Sequence, residues 1–292
     1  MIVLNMNKNI GNQIADFLLD YYLAFDHSSK TSFDVLATKN QIVVMGEAMS
    51  TVFVPVTKVV RDALQQIGYT ENADSIAILQ NIQGLASDVN REIERTDPLN
   101  KGADSSGTVF GCATNETENY MPPALDPKQP LTRSQLIADM YINEMSAFCG
   151  CDPSKIQRSA SYAARHVAKN LVAAGISDEI IVQVTYAVGV AEPVSFFVDT
   201  CNKSKVAISN SEISHIIADK IFDMRPKSIE QRLKLRNPIY AEAALKGHFG
   251  QMSQKIIKTF SPWENPKTIE VELFTWEKLD YVDIIKKTFE LK

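Results

Sequence analysis

Side chains capable of chemistry gather in few places along this 292-residue chain. Its four cysteines are Cys112, Cys149, Cys151 and Cys201. Cys149-Gly150-Cys151 is a CxC pair; structural zinc sites favour CxxC, and no histidine follows at zinc spacing. Reduced thiols of a cytosolic protein are the expectation. The stretch NKNIGNQIADFLLDYY, from Asn7, reads as an amphipathic helix from Ile14 onward, with Ile14, Leu18, Tyr21 and Tyr22 near one face. Just before it stand Asn9-Ile10-Gly11-Asn12-Gln13. A helix start favours anions through its free N–H groups and dipole, yet these residues carry no charge. Cys151 and Lys155 fall near the start of a second, longer helix. A thiol there reads as a low-pKa thiolate or as inert filler. A lysine there opposes the dipole, and reads as a ligand group or a solvated cation. His166, between Arg165 and Lys169, reads as a surface or interface residue rather than a base.

The elements that must position these groups are legible in outline. A polar turn, FDHSSKTS, follows the first helix. QIVVMGEAMS reads as a strand ending near Gly46, TKVVRDALQQIG as a helix closed by Gly68, and DSIAILQNI as a strand. DPSKIQRSASYAARHVAKNLVAAG is a long helix with Asp152 as N-cap, Pro153 as first residue and Gly175 as stop. EIIVQVTYAVG and VSFFVDT are strands, SNSEISHIIADKIFD is a helix, and the tail from Ser261 returns to the body as a strand and short helix. The order implies an α+β protein of two sheet-plus-helix units, each sheet covered on one face. Residues 81–117 have little periodicity, and loops this long are usually functional or disordered. The Pro-rich start of 122–146 marks an inter-unit linker.

The totals exclude several functions. A net charge of -5 argues against sequence-independent nucleic-acid binding. No run of 18 apolar residues offers a membrane span, and MIVLNMNKN is too short and polar for a secretory signal. A cytoplasmic protein is expected.

RTDPLNKGADSSGTVFGCATNETENYMP resembles the acidic, glycine-rich GAGDQG loop and MFGYATNET stretch of the S-adenosylmethionine synthetases. Two more long matches carry the resemblance: DPSKIQRSASYAARHVAKNLVAAG with VQVTYAVGVAEP, and MRPKSIEQRLKLRNPIYAEAALKGHFG with ELFTWEKLDYVD. The resemblance implies a protein that joins methionine sulfur to C5′ of ATP and hydrolyses the triphosphate. It also implies Mg²⁺ and K⁺, and active sites between the subunits of a dimer. A triphosphate leaving group needs lysine, arginine and Mg²⁺ carboxylates to hold its growing charge.

Carried over residue by residue, the family pattern is depleted of charge. Its Gly-His-Pro-Asp-Lys falls on the first helix, with the histidine at Ile10, the metal aspartate at Asn12 and the lysine at Gln13. The loop aspartate falls at Ser105, beside Asp104, which could partly substitute. The glutamine that helps hold methionine falls at Arg91, and the K⁺ glutamate near Asp34, a possible remnant of that site. In the family's GKDPSKVDRS, one catalytic lysine is Cys151, the other persists as Lys155, and the aspartate is Gln157. Glu47 matches the glutamate that contacts methionine; it reads as a ligand carboxylate or as one paired locally. Packing residues Ala163, Ala164, Val167 and Ala168 match the family. GHFG, Gly247 to Gly250, belongs to its structural C-terminal region, and ATNET, Ala113 to Thr117, to its approach to the subunit interface.

Between Met121 and Ala147 the family carries a domain's worth of chain that grips ATP and its phosphates. The expected organisation is therefore two remaining pseudo-repeated domains, 1–121 and 147–292, joined by a linker, 122–146, in place of a largely deleted third. The leading expectation is loss of adenosyl transfer and action by association, as a homodimer or a heteromer with an intact synthetase. An enzyme of changed activity that binds methionine or S-adenosylmethionine, using Glu47, Asp104, Lys155 and Cys151, is the alternative. A non-catalytic ligand sensor and a residual synthetase complete the set. No cofactor is certain; Mg²⁺ and K⁺ are expected only if the ancestral reaction remains.

Overall fold

In a computed structural model, residues 2–69, 75–84, 98–123 and 148–291 are described. Arg91 and most of the 122–146 linker lie outside them. Helix α1 (Ile2–Phe25) begins well before Ile14. Its buried positions run through two cores. Ile14, Leu18, Tyr21 and Tyr22 pack in the first, as their spacing predicts. Leu19 and Leu23 pack in the second. Its close approach to the neighbouring strand requires glycine, because a Cβ on Gly11 would lie 2.3 Å from the Val35 carbonyl oxygen.

Strand β1 (Lys30–Ala37) pairs antiparallel with β2 (Gln41–Met49). The polar FDHSSKTS turn concealed β1, because its N-terminal half alternates polar residues with the buried Thr31 and Phe33. Helix α2 (Val56–Ile67) then crosses to β3 (Ala77–Gly84), which lies parallel to β2. Gly68 ends α2 in the left-handed conformation at φ 86°. Val59, Val60, Ala63 and Leu64 of α2 join Phe33, Ile42 and Val44 in the first core.

The second sheet is β4 (Gly107–Thr114), β5 (Glu179–Tyr186) and β6 (Ser195–Asp199), all antiparallel. Residues 107–114, assigned from sequence to the first domain, thus pair with a strand of the second. Helix α3 (Ile156–Ala174) runs between β4 and β5 in sequence and is buried along almost its whole length. Gly175 stops it at φ 90°. Helices α4 (Asn210–Lys220), α5 (Pro226–Arg232) and α6 (Tyr240–Lys246) follow. Hairpin β7 (Gln254–Phe260) and β8 (Lys267–Leu273) then sends Phe260 into the first core and Val271 and Leu273 into the second. Helix α7 (Val282–Thr288) closes the tail. No helix among the described residues is long and apolar enough to cross a membrane.

Candidate functional site

The start of α3 is set by contacts across the fold rather than by its own sequence. Asp152 is fully buried, and its carboxylate accepts the Thr31 and Ser154 N–H groups, both at 2.9 Å. Arg236 lies 3.2 Å from it. Asp152 is therefore not the N-cap of α3; the helix begins at Ile156, with Lys155 at the cap position. The cap comes from a distant loop. Asp104 accepts the Ile156 N–H at 2.8 Å and lies 3.5 Å from the Lys155 ammonium. Ser105 is within 3.5 Å of the same carboxylate. The structure thus brings Asp104, Ser105 and Lys155 together, with Asp104 acting as a helix cap as well as a counter-ion.

Cys151 sits five residues before Ile156, where the helix begins, not in its first turn. Its sulfur is 3.7 Å from the Ser32 hydroxyl. Burial pushes the thiol up, against the Ser32 hydrogen bond and the Arg158 charge. Of the two readings of Cys151, inert filler rather than low-pKa thiolate fits this half-buried, raised thiol. Ser32 stands opposite Glu47 in the strand register, and Glu47 opposite Gln83 of β3. Glu47 and Asp34 are exposed on the outer face of the first sheet, Asp34 opposite Met45.

Ile10, Asn12, Gln13 and Gln157, uncharged positions that the resemblance sets against the family's charged groups, lie in regular helix. Ile10, Asn12 and Gln13 are inside α1 rather than at its start, so no free N–H groups are available for an anion there. Gln13 is buried, Asn12 half-buried, and Ile10 packs against the first core. Gln157 is half-buried in the first turn of α3. Asn12 and Ser105 offer neutral oxygens, which suit Mg²⁺ poorly in place of carboxylates.

The charged network that sequence reasoning missed lies deeper. Arg158 of α3 donates to both Asp16 oxygens, at 2.7 and 2.6 Å, and to the Phe148 and Cys151 carbonyls. Its guanidinium lies 4.1 Å from the centre of the Tyr240 ring. One helical turn on from Asp16, Asp20 accepts the Tyr240 and Ala241 N–H groups and pairs with Lys258 at 2.7 Å. Farther along α3, Arg165 and Lys169 converge on Glu277 at 3.0 and 2.7 Å. His166 is fully buried, not a surface residue; its Nε2 lies 2.8 Å from Asp280, and burial holds it below the ordinary imidazole value. The signal for this network was present in the i, i+4 carboxylates Asp16 and Asp20, set within an otherwise apolar run.

Two helix-covered sheets, joined by the buried Arg158–Asp16 pair between α1 and α3, define an α+β protein. The chain belongs to the S-adenosylmethionine synthetase family. The N-terminal domain of S-adenosylmethionine synthetase matches residues 7–87, and the C-terminal domain matches residues 128–265. The S-adenosylmethionine synthase of Flavobacterium johnsoniae is 36% identical over 400 residues, covering 97% of this chain and 96% of that protein. That of Bacteroides thetaiotaomicron is 36% identical over 414 residues, and that of Parabacteroides distasonis 36% over 412, with the same coverage of each chain. Each aligned span exceeds the 292 residues of this chain, so the alignments contain long stretches without a counterpart here.

Proposed function

We propose that this chain no longer transfers the adenosyl group of ATP to methionine unaided and works by association, with a second copy or with an intact synthetase. The observation that carries the association is the outer face of the first sheet. Leu36 is 61% exposed, Leu79 52% and Met45 47%, and the strand register sets them in adjoining rows with Val43. Leu36, Val43 and Leu79 form an apolar row beside Met45, bordered by the exposed polar residues Asp34, Asn81 and Glu47, and apolar residues exposed together in this way mark an interaction surface with a polar rim.

The loss of reaction is supported by chemistry. Removing a single transition-state charge contact costs about 10²–10³ in rate. The family's charged groups are replaced at Ile10, Asn12, Gln13, Cys151 and Gln157, and Asp104 is committed to capping α3. Such losses are not additive, but partial accumulation leaves little. The long unmatched stretches of the alignments support excision of a phosphate-gripping domain at the linker 122–146. A cytoplasmic location and independence from Mg²⁺ and K⁺ belong to the same reading.

Light scattering on the eluted protein, alone and mixed with an intact synthetase, tests the association. A species that holds this chain together with a further chain, in the mixed sample one larger than or distinct from the synthetase alone, is expected in at least one of the two samples. Met45→Lys with Leu79→Lys is expected to return it to the monomer without lowering the melting temperature. A monomer in both samples contradicts the proposal. A second reading, capture of methionine or S-adenosylmethionine, is favoured by the exposure of Glu47 on that face. It predicts heat of binding with methionine that disappears in Glu47→Gln.

A further inference from the structure

Among the described residues, one group of three side chains has donor atoms that converge as metal ligands do: the Asp16 carboxylate, the Cys149 thiol and the His248 imidazole. Sequence spacing concealed it, because the three come from α1, from the segment before α3 and from the turn after α6. Their donor atoms all lie within 4.8 Å of one another. We propose that Asp16, Cys149 and His248 form a site for one borderline-soft divalent ion of the zinc class, with water as fourth ligand.

The donor set and its geometry both fit. Mixed sulfur, nitrogen and oxygen donors suit zinc rather than Mg²⁺ or Ca²⁺. Cys149 Sγ is 3.9 Å from His248 Nε2. That is long for a hydrogen bond, and near the roughly 3.6 Å that a tetrahedral zinc imposes between sulfur and nitrogen ligands. The other ring nitrogen, Nδ1, lies 2.9 Å from the Tyr162 hydroxyl. With that hydroxyl accepting from Nδ1–H, Nε2 is left as the lone-pair donor; this is the outer-shell partner that metal-bound histidines usually have.

Arg158 does not close the site. The two Asp16 oxygens offer about four acceptor directions. The Gly150 N–H and two guanidinium N–H groups occupy three of them. The Cys149 thiol hydrogen-bonds to the same carboxylate; departure of its proton as the metal–sulfur bond forms leaves that direction to an ion, and Arg158 then fixes the carboxylate as an outer-shell partner. The Cys149 proton leaves to solvent as the metal–sulfur bond forms, so uptake releases one proton and strengthens as pH rises. The ion would fasten α1, the entry to α3 and the turn before β7 to one another.

Co²⁺ is the probe. Titrated into the purified, reduced protein, it is expected to produce the near-ultraviolet thiolate-to-metal absorption band, saturating at one equivalent. The band is expected to vanish in Cys149→Ser and to survive in Cys151→Ser. Zn²⁺ should displace Co²⁺ and raise the melting temperature of the parent protein. No band in the folded parent, or a band that persists in Cys149→Ser, overturns the assignment. Should Cys149→Ser fail to fold, His248→Gln decides: loss of both the saturating band and the Zn²⁺ melting shift supports the site, and their retention overturns it.

Discussion

Arg158 and Lys155 lie one helical turn apart and carry very different energetic weight. Arg158 and Asp16 are both fully buried, and the guanidinium meets both carboxylate oxygens. Removing one partner of such a pair leaves an uncompensated buried charge. Arg158→Leu is therefore expected to destabilise the fold by about 3–5 kcal/mol, read by urea denaturation. Lys155 pairs with Asp104 at 3.5 Å and is 35% exposed. Lys155→Ala should cost about 0–1 kcal/mol in the same experiment. Asp20 adds a pH signature. Burial, with Glu242 nearby, raises its carboxyl to about 6 despite the Lys258 ammonium. A carboxyl raised in the folded state contributes stability that is complete below its unfolded value near 4 and is lost as pH rises through about 6. The stability of the parent relative to Asp20→Asn should fall across that window, by on the order of 2–3 kcal/mol, and then level off. The neutral amides Asn12, Gln13 and Gln157 were legible as residue types. Their surroundings were not, because the sequence places neither Asp104 against the Ile156 N–H nor Arg158 against Asp16.

Among the elements, α3 decides where the site stands, and its fit to β4 is close. A Cβ on Gly111 would lie 2.1 Å from the Ala164 carbonyl carbon. Backbone cannot yield as a flexible side chain does, so Gly111→Ala should lift α3 from β4 and cost about 1–3 kcal/mol, seen as a lower melting temperature. Both glycine stops, Gly68 and Gly175, were legible because a left-handed cap has few solutions. The start of α3 was misread at Asp152 because a local signal, aspartate before proline, is overridden by tertiary capture. Thr31 and Arg236 hold that carboxylate, and Asp104 caps the helix instead. Strand β1 escaped notice for a related reason: its outward positions Ser32 and Asp34 break the apolar pattern that marked β2.

At the scale of the whole molecule, α1, α6 and the β7–β8 hairpin each reach both cores, and among the described residues the first sheet leaves its other face open. On the proposed reading, the scaffold of a synthetase subunit is kept while the charges of its chemistry are thinned. The central claim, action by association without unaided synthesis, is tested most directly by S-adenosylmethionine formation from ATP and methionine with Mg²⁺ and K⁺ present. This protein is titrated into an intact synthetase, with one sample holding this protein alone. The account predicts no product in that sample and a saturable change in rate across the titration. Product from this protein alone, or a synthetase rate that never changes, would contradict it.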